Sequence, residues 1–128
     1  MPGWQDRYKR IIALGREMPE FPEQHRTDAN KVKGCQSQVW LHAELDDDGN
    51  LQIVGDSDAA IVKGLVAIVL EAFAGAPPHD VASAPTTFID ELGLSENLSQ
   101  TRANGLAAML KQIKLYGLVF AAMSAKPS

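Results

Sequence analysis

The sequence predicts an α+β fold: a small antiparallel sheet of about three strands, with helices packed on one face. Three observations carry this expectation. Two strand-like segments, "QVWLHAEL" and "LQIVGDS", flank the polar turn "DDDGN". The next segment, "DAAIVKGLVAIVLEAFAG", is apolar on nearly every side, the mark of a buried helix. Helical patterns lie at both ends of the chain, so the strands are grouped and not interleaved with helices. The chain has 128 residues, 45% of them apolar. That is one domain, residues 1–128, with enough apolar material for one core and too little for two.

The elements follow in order. Residues 4–18 place Trp4, Tyr8, Ile11, Ile12, Gly15 and Met18 at helical spacing, with Arg7, Lys9 and Arg10 between them. Pro19 stops this helix. The prolines and polar residues of "PEFPEQHRTDAN" predict a loop. Over residues 38–45, Val39, Leu41, Ala43 and Leu45 alternate with Gln38, Trp40, His42 and Glu44, the period of a half-buried strand. Gly49 lets the turn adopt positive φ, and residues 51–57 return as a second strand. A lone hairpin is marginal in water, so a third strand is expected around Lys31–Gly34. Asp56, Ser57 or Asp58 stands ready to cap a helix over 58–74, and Lys63 would snorkel from it. Gly75 and the pair Pro77-Pro78 end it. "TTFIDELGL" predicts a short helix closed by Gly93. Ser99 or Thr101 opens the last helix, whose apolar face is Leu106, Met109, Leu110, Ile113, Tyr116 and Phe120. The tail "SAKPS" reads as disordered.

Charge and composition exclude several functions. The formal net charge is −4 and the twelve Lys and Arg are dispersed, so no nucleic acid is expected as a partner. Lys63 and Glu71 interrupt the most apolar stretch, and "MPGWQDRYKR" lacks the apolar core of a secretory signal. No membrane is expected. A single cysteine cannot form an internal disulfide, and the expected compartment is the cytoplasm. His25, His42 and His79 are scattered and show no ligand spacing, so no metal is expected.

That single cysteine, Cys35, carries the functional signal. Free cysteines are commonly buried small hydrophobes. Yet Cys35 follows Gly34 and precedes the polar run Gln36, Ser37 and Gln38, which is no core strand. Lys31, Lys33 and Arg26 are near in sequence and could favour a thiolate, and the polar run offers donors to a sulfur anion. A cysteine hydrolase needs a placed histidine base, and no histidine has a telling position. Two-cysteine redox chemistry lacks a resolving thiol, and an iron–sulfur scaffold needs several thiolates. Carriage of a group on one sulfur remains. A persulfide on Cys35 could not be lost to an internal disulfide.

Three stretches, "RYKRIIALGREMPEFPEQHRTDANKVKGCQSQVWL", "GDSDAAIVKGLVAIVLEAFAG" and "LSQTRANGLAAMLKQIK", resemble the SufE family of sulfur acceptors. The resemblance spans roughly residues 7–116, and "VKGCQSQVW" together with "GDSDAAIVKG" is its specific part. It implies a SufE/NifU-like α+β fold. It further implies that Cys35 takes persulfide sulfur from a cysteine desulfurase, stimulates that enzyme, and passes the sulfur to an iron–sulfur cluster scaffold. Pyridoxal phosphate would belong to the desulfurase, and the chain would hold no cofactor of its own. Gly34, Gln36, Ser37 and Gln38 would support the cysteine loop. Asp56 and Asp58 of the "GDSD" stretch would contact the partner, although both also suit a helix start. Arg102 would do the same, since a cation in the first turn of a helix opposes its dipole by roughly 0.3–1 kcal/mol. Two alternatives stay open: a regulatory module that activates a desulfurase by docking alone, and an independent thiol enzyme.

Overall fold

The computed structural model describes residues 2–35, 37–87, 89, 93 and 98–124. The side chain of Trp4, residue Gln36, most of the expected short helix over 86–94 and the tail 125–128 lie outside the described residues. Helix α1 spans Pro2–Arg16, so the pattern read over 4–18 is displaced by two residues. Its Ile11 is buried. The chain then crosses short 3-10 turns at Glu23–His25 and Asp28–Asn30. Strand β1 is Val39–Leu45 and β2 is Leu51–Ser57. Helices α2 (Ala60–Phe73), α3 (Pro78–Ser83) and α4 (Gln100–Ser124) follow.

The strands pair antiparallel from Val39↔Ser57 to Leu45↔Leu51. Asp46 closes the turn: its Oδ1 accepts the N–H groups of Asp48 at 3.0 Å and Asn50 at 2.9 Å, while Gly49 takes φ +81°. The expected third strand is reduced among the described residues to one bridge, Lys31 opposite Trp40, with Val32 N–H donating to Val39 O at 2.8 Å. Gly34 ends it. At φ +92° it turns the chain out of the extended direction, a conformation that other residues rarely adopt.

Val39, Leu41, Ala43, Leu51 and Ile53 make the inner face of the hairpin, in one core with Leu65, Val66 and Val69 of α2 and Met109 and Ile113 of α4. Each such Val, Leu or Ile, fully buried, stabilises the fold by roughly 1.5–3 kcal/mol. Leu45, at the hairpin end, is 36% exposed and departs from the alternation. Helices α1 and α2 cross where Gly15 meets Gly64. A Cβ on Gly15 would come within 2.7 Å of Gly64 N, and one on Gly64 would strike the Ile11 carbonyl. Two backbones approach here as only glycines allow.

The helix starts divide. Ser99 caps α4, its Oγ accepting Arg102 N–H at 3.3 Å. No side chain caps α2 in the expected manner; its cap residue is Ala59, because the neighbouring acids are committed elsewhere. On α4, Leu106, Met109 and Ile113 are buried, and Leu110, Tyr116 and Phe120 pack beside them. Tyr116 donates to Leu41 O at 3.0 Å and ties the helix to the sheet. By length and composition alone, Gln100–Met123 would suffice to cross a membrane. Here its inner face belongs to the core.

Candidate functional site

Cys35 stands one residue beyond the Gly34 turn, with its thiol directed at α4. Its Sγ donates to Gly105 O at 3.6 Å, a bond available only to the protonated thiol. Ser37, Val62, Leu65, Gly105, Leu106 and Met109 surround it in a cavity of about 20 Å³, and Thr101 and Arg102 complete the lining. That volume admits about one water-sized atom. Burial pushes the Cys35 thiol above its ordinary pKa. Burial, and none of the three cations expected to favour a thiolate, sets this shift. Arg26 is engaged elsewhere, and Lys31 and Lys33 line a separate open groove of about 540 Å³ with Lys111 and Leu115.

The loop is fastened at its far end. Gln38 N–H donates to Asp58 Oδ1 at 3.0 Å. Gln38 O accepts Ser57 Oγ–H at 2.7 Å and Asp58 N–H at 3.2 Å. Gln38 thus braces the loop through its backbone, and Ser57 and Asp58 are the other half of the brace. Asp56 is 9% exposed. Its carboxylate meets Arg26 Nη2 at 2.8 Å and Lys63 Nζ at 3.3 Å. Lys63 therefore reaches back to an acid and does not merely snorkel. Burial alone would raise the Asp56 pKa, but hydrogen bonds from Arg26, Ser57 N–H and Lys63 outweigh it and hold the carboxyl below its ordinary value.

Arg26, expected near the thiol, has a different role, as a clamp that the sequence did not foretell. It pairs with Glu23 at 3.0 Å and Asp56 at 2.8 Å, and its guanidinium lies over Trp40 at 4.7 Å and Phe21 at 5.2 Å. It clamps the loop before the cysteine onto the outer face of the hairpin, which is why Trp40 is buried. Phe21 in the same loop as Arg26 was the available sequence signal. Arg102 lies in the first turn of α4, exposed at the thiol cavity, and makes no ion pair with the described residues. The structure thus brings Cys35, Ser37 and Arg102 to one cavity and sets Asp58 behind the loop. Asp56 is one step further back, within the clamp.

Fold and site together define a small α+β protein that presents one half-buried thiol on a braced loop beside a helix. The chain belongs to the SufE family: residues 1–116 match the family model described as the Fe-S metabolism associated domain, which connects the protein with iron–sulfur metabolism. An uncharacterized SufE-like protein of Rhizobium etli is 48% identical over 115 residues, covering 87% of this chain and 78% of the relative. One of Rhizobium meliloti is 50% identical over 115 residues, covering 87% and 82%. The solution structure of a hypothetical protein from Thermus thermophilus superposes with a TM-score of 0.76 at 22% identity, covering 92% of this chain and 86% of that one. The last likeness concerns the fold alone.

Proposed function

We propose that the protein is a sulfur acceptor and carrier that takes persulfide sulfur from a cysteine desulfurase onto Cys35. It stimulates that desulfurase and delivers the sulfur onward for iron–sulfur cluster assembly. The observation that carries this reading is the thiol held against a cavity with room for one further atom. In the transfer, the Cys35 thiolate attacks the outer sulfur of the partner's persulfide. A new bond forms between Cys35 Sγ and that sulfur, the partner's sulfur–sulfur bond breaks, and the partner's cysteine leaves as thiolate. No net oxidation occurs. The pyridoxal phosphate that liberates sulfur from L-cysteine belongs to the partner, and the exchange takes place in the cytoplasm.

Electrostatics sets the control point. In the free protein burial disfavours the thiolate, so Cys35 is a poor nucleophile until it leaves the cavity. Docking would draw the loop outward about Gly34, and part of the docking energy goes into that movement. Arg102, exposed beside the same cavity, and Asp58, exposed behind the loop, are the proposed partner contacts. Gly34, Ser37 and Gln38 position the loop. The half-buried thiol also suits a module that activates by docking alone. Cys35→Ser separates the two: a carrier loses stimulation of desulfurase turnover, whereas a docking module keeps it. Full stimulation by the serine variant would remove the carrier reading.

A further inference from the structure

His42 and Glu44 lie two residues apart on β1, so both side chains leave the outer face of the hairpin. His25, from the first 3-10 turn of the covering loop, lies directly on His42. The rings stack with centroids 3.6 Å apart and planes 11° from parallel. Glu44 Oε1 is 3.0 Å from His42 Nε2 and 4.0 Å from His25 Nε2. One carboxylate oxygen and two imidazole nitrogens, one from each residue, fall within 4.8 Å of one another. The loop holds His25 there: Asn30 Nδ2 donates to His25 O at 2.8 Å, and the Phe21 ring meets the imidazole edge-on at 6.4 Å.

We propose that His25, His42 and Glu44 bind one divalent first-row transition-metal ion of the zinc, cobalt or iron(II) class, with water in the remaining coordination positions. Two imidazoles with one carboxylate select such ions over magnesium and calcium, which prefer all-oxygen sites. An ion about 2.0–2.1 Å from each ligand keeps the ligand atoms roughly 3.3 Å apart in tetrahedral geometry. The His42–Glu44 separation is already near that; the His25 ring must leave the stack and turn so that its ring nitrogen points at the ion, because an imidazole lone pair lies in the ring plane. Arg26 does not oppose the cation strongly, because Glu23 and Asp56 both pair with it. A plain hydrogen-bonded cluster explains only part of the arrangement. Glu44 occupies His42, while the half-buried His25 ring makes no hydrogen bond with the described residues. The solvent side of the site stays open, since Glu44 is exposed.

The test is cobalt(II) titration of the folded Cys35→Ser protein, in which the thiol cannot serve as a ligand. Native mass spectrometry should count one ion per chain, and visible absorption should report nitrogen and oxygen ligation. In the same background, His25→Gln and His42→Gln should each weaken binding at least about tenfold, the lower end of what even an outer-shell partner contributes. His79→Gln, on the exposed surface of α3, should leave it unchanged. Ring-nitrogen NMR of the unaltered histidines guards against a variant that misfolds: zinc should move His25 and His42 and leave His79 in place. Absence of stoichiometric binding, binding that survives loss of both histidines, or equal zinc shifts at all three rings would each overturn the proposal.

Discussion

Gly105→Ala is the substitution on which packing and function pull apart. A Cβ at this position would lie 3.6 Å from Cys35 Sγ, an ordinary van der Waals contact, so alanine fits the free protein. Glycine inside a helix costs about 0.5–1 kcal/mol relative to alanine. The variant should therefore gain roughly that much stability, a Tm increase on the order of 2–8 °C. The same methyl takes up space in a cavity of about 20 Å³. The outer sulfur of a Cys35 persulfide then loses its shelter and points to solvent. Burial of a group the size of one methylene is worth about 0.8 kcal/mol, so loss of sulfur to glutathione should accelerate roughly fourfold. The assay is decay of the persulfidated intact mass in glutathione, beside a thermal melt. A higher Tm with an unchanged persulfide lifetime would show that the sulfur does not occupy the cavity. A lower Tm would refute the packing argument itself.

Three further outcomes follow from the same geometry. Iodoacetamide should modify Cys35 slowly in the free protein, with a pH midpoint above that of the unfolded chain, because burial raises the thiol's pKa; a rate equal to the unfolded control at neutral pH contradicts the sheltered thiol. Asp56→Asn should destabilise the fold by roughly 1–3 kcal/mol in denaturant unfolding at neutral pH, since it strips Arg26 and Lys63 of their shared partner. The native carboxyl titrates below its unfolded value, so its contribution is full above the unfolded pKa and disappears as pH falls through the native one; a difference between variant and parent that persists in strong acid counts against the ion pairs. Arg102→Ala should reduce stimulation of the desulfurase while Tm stays level or rises slightly, because a cation opposed to the helix dipole is removed; a marked fall in Tm with stimulation intact makes Arg102 structural.

The local patterns were legible in the sequence, and the long-range ones were not. The alternation through Val39, Leu41 and Ala43, the "DDDGN" turn and the apolar segment after "GDSD" each depend on near neighbours, and the hairpin and α2 stand where those patterns place them. The residues from Lys31 to Gly34 have strand-like neighbours, yet Gly34 turns the chain after one bridge. Asp56 and Asp58 look like caps by position, but Arg26, Lys63 and Gln38, brought from elsewhere in the chain, claim them first. Proximity in sequence misleads for Lys31 and Lys33 as well: they line another groove, and burial governs the sulfur. His25 and His42 appear scattered until the loop folds back across the hairpin and stacks one ring upon the other.

The carrier mechanism stands or falls on where the sulfur goes. The chain should be incubated with a cysteine desulfurase and L-cysteine, quenched by alkylation, and its intact mass and peptides measured. The carrier mechanism requires a gain of one sulfur atom per chain, located on Cys35 and absent from Cys35→Ser. A chain that stimulates the desulfurase without any gain of mass would contradict it.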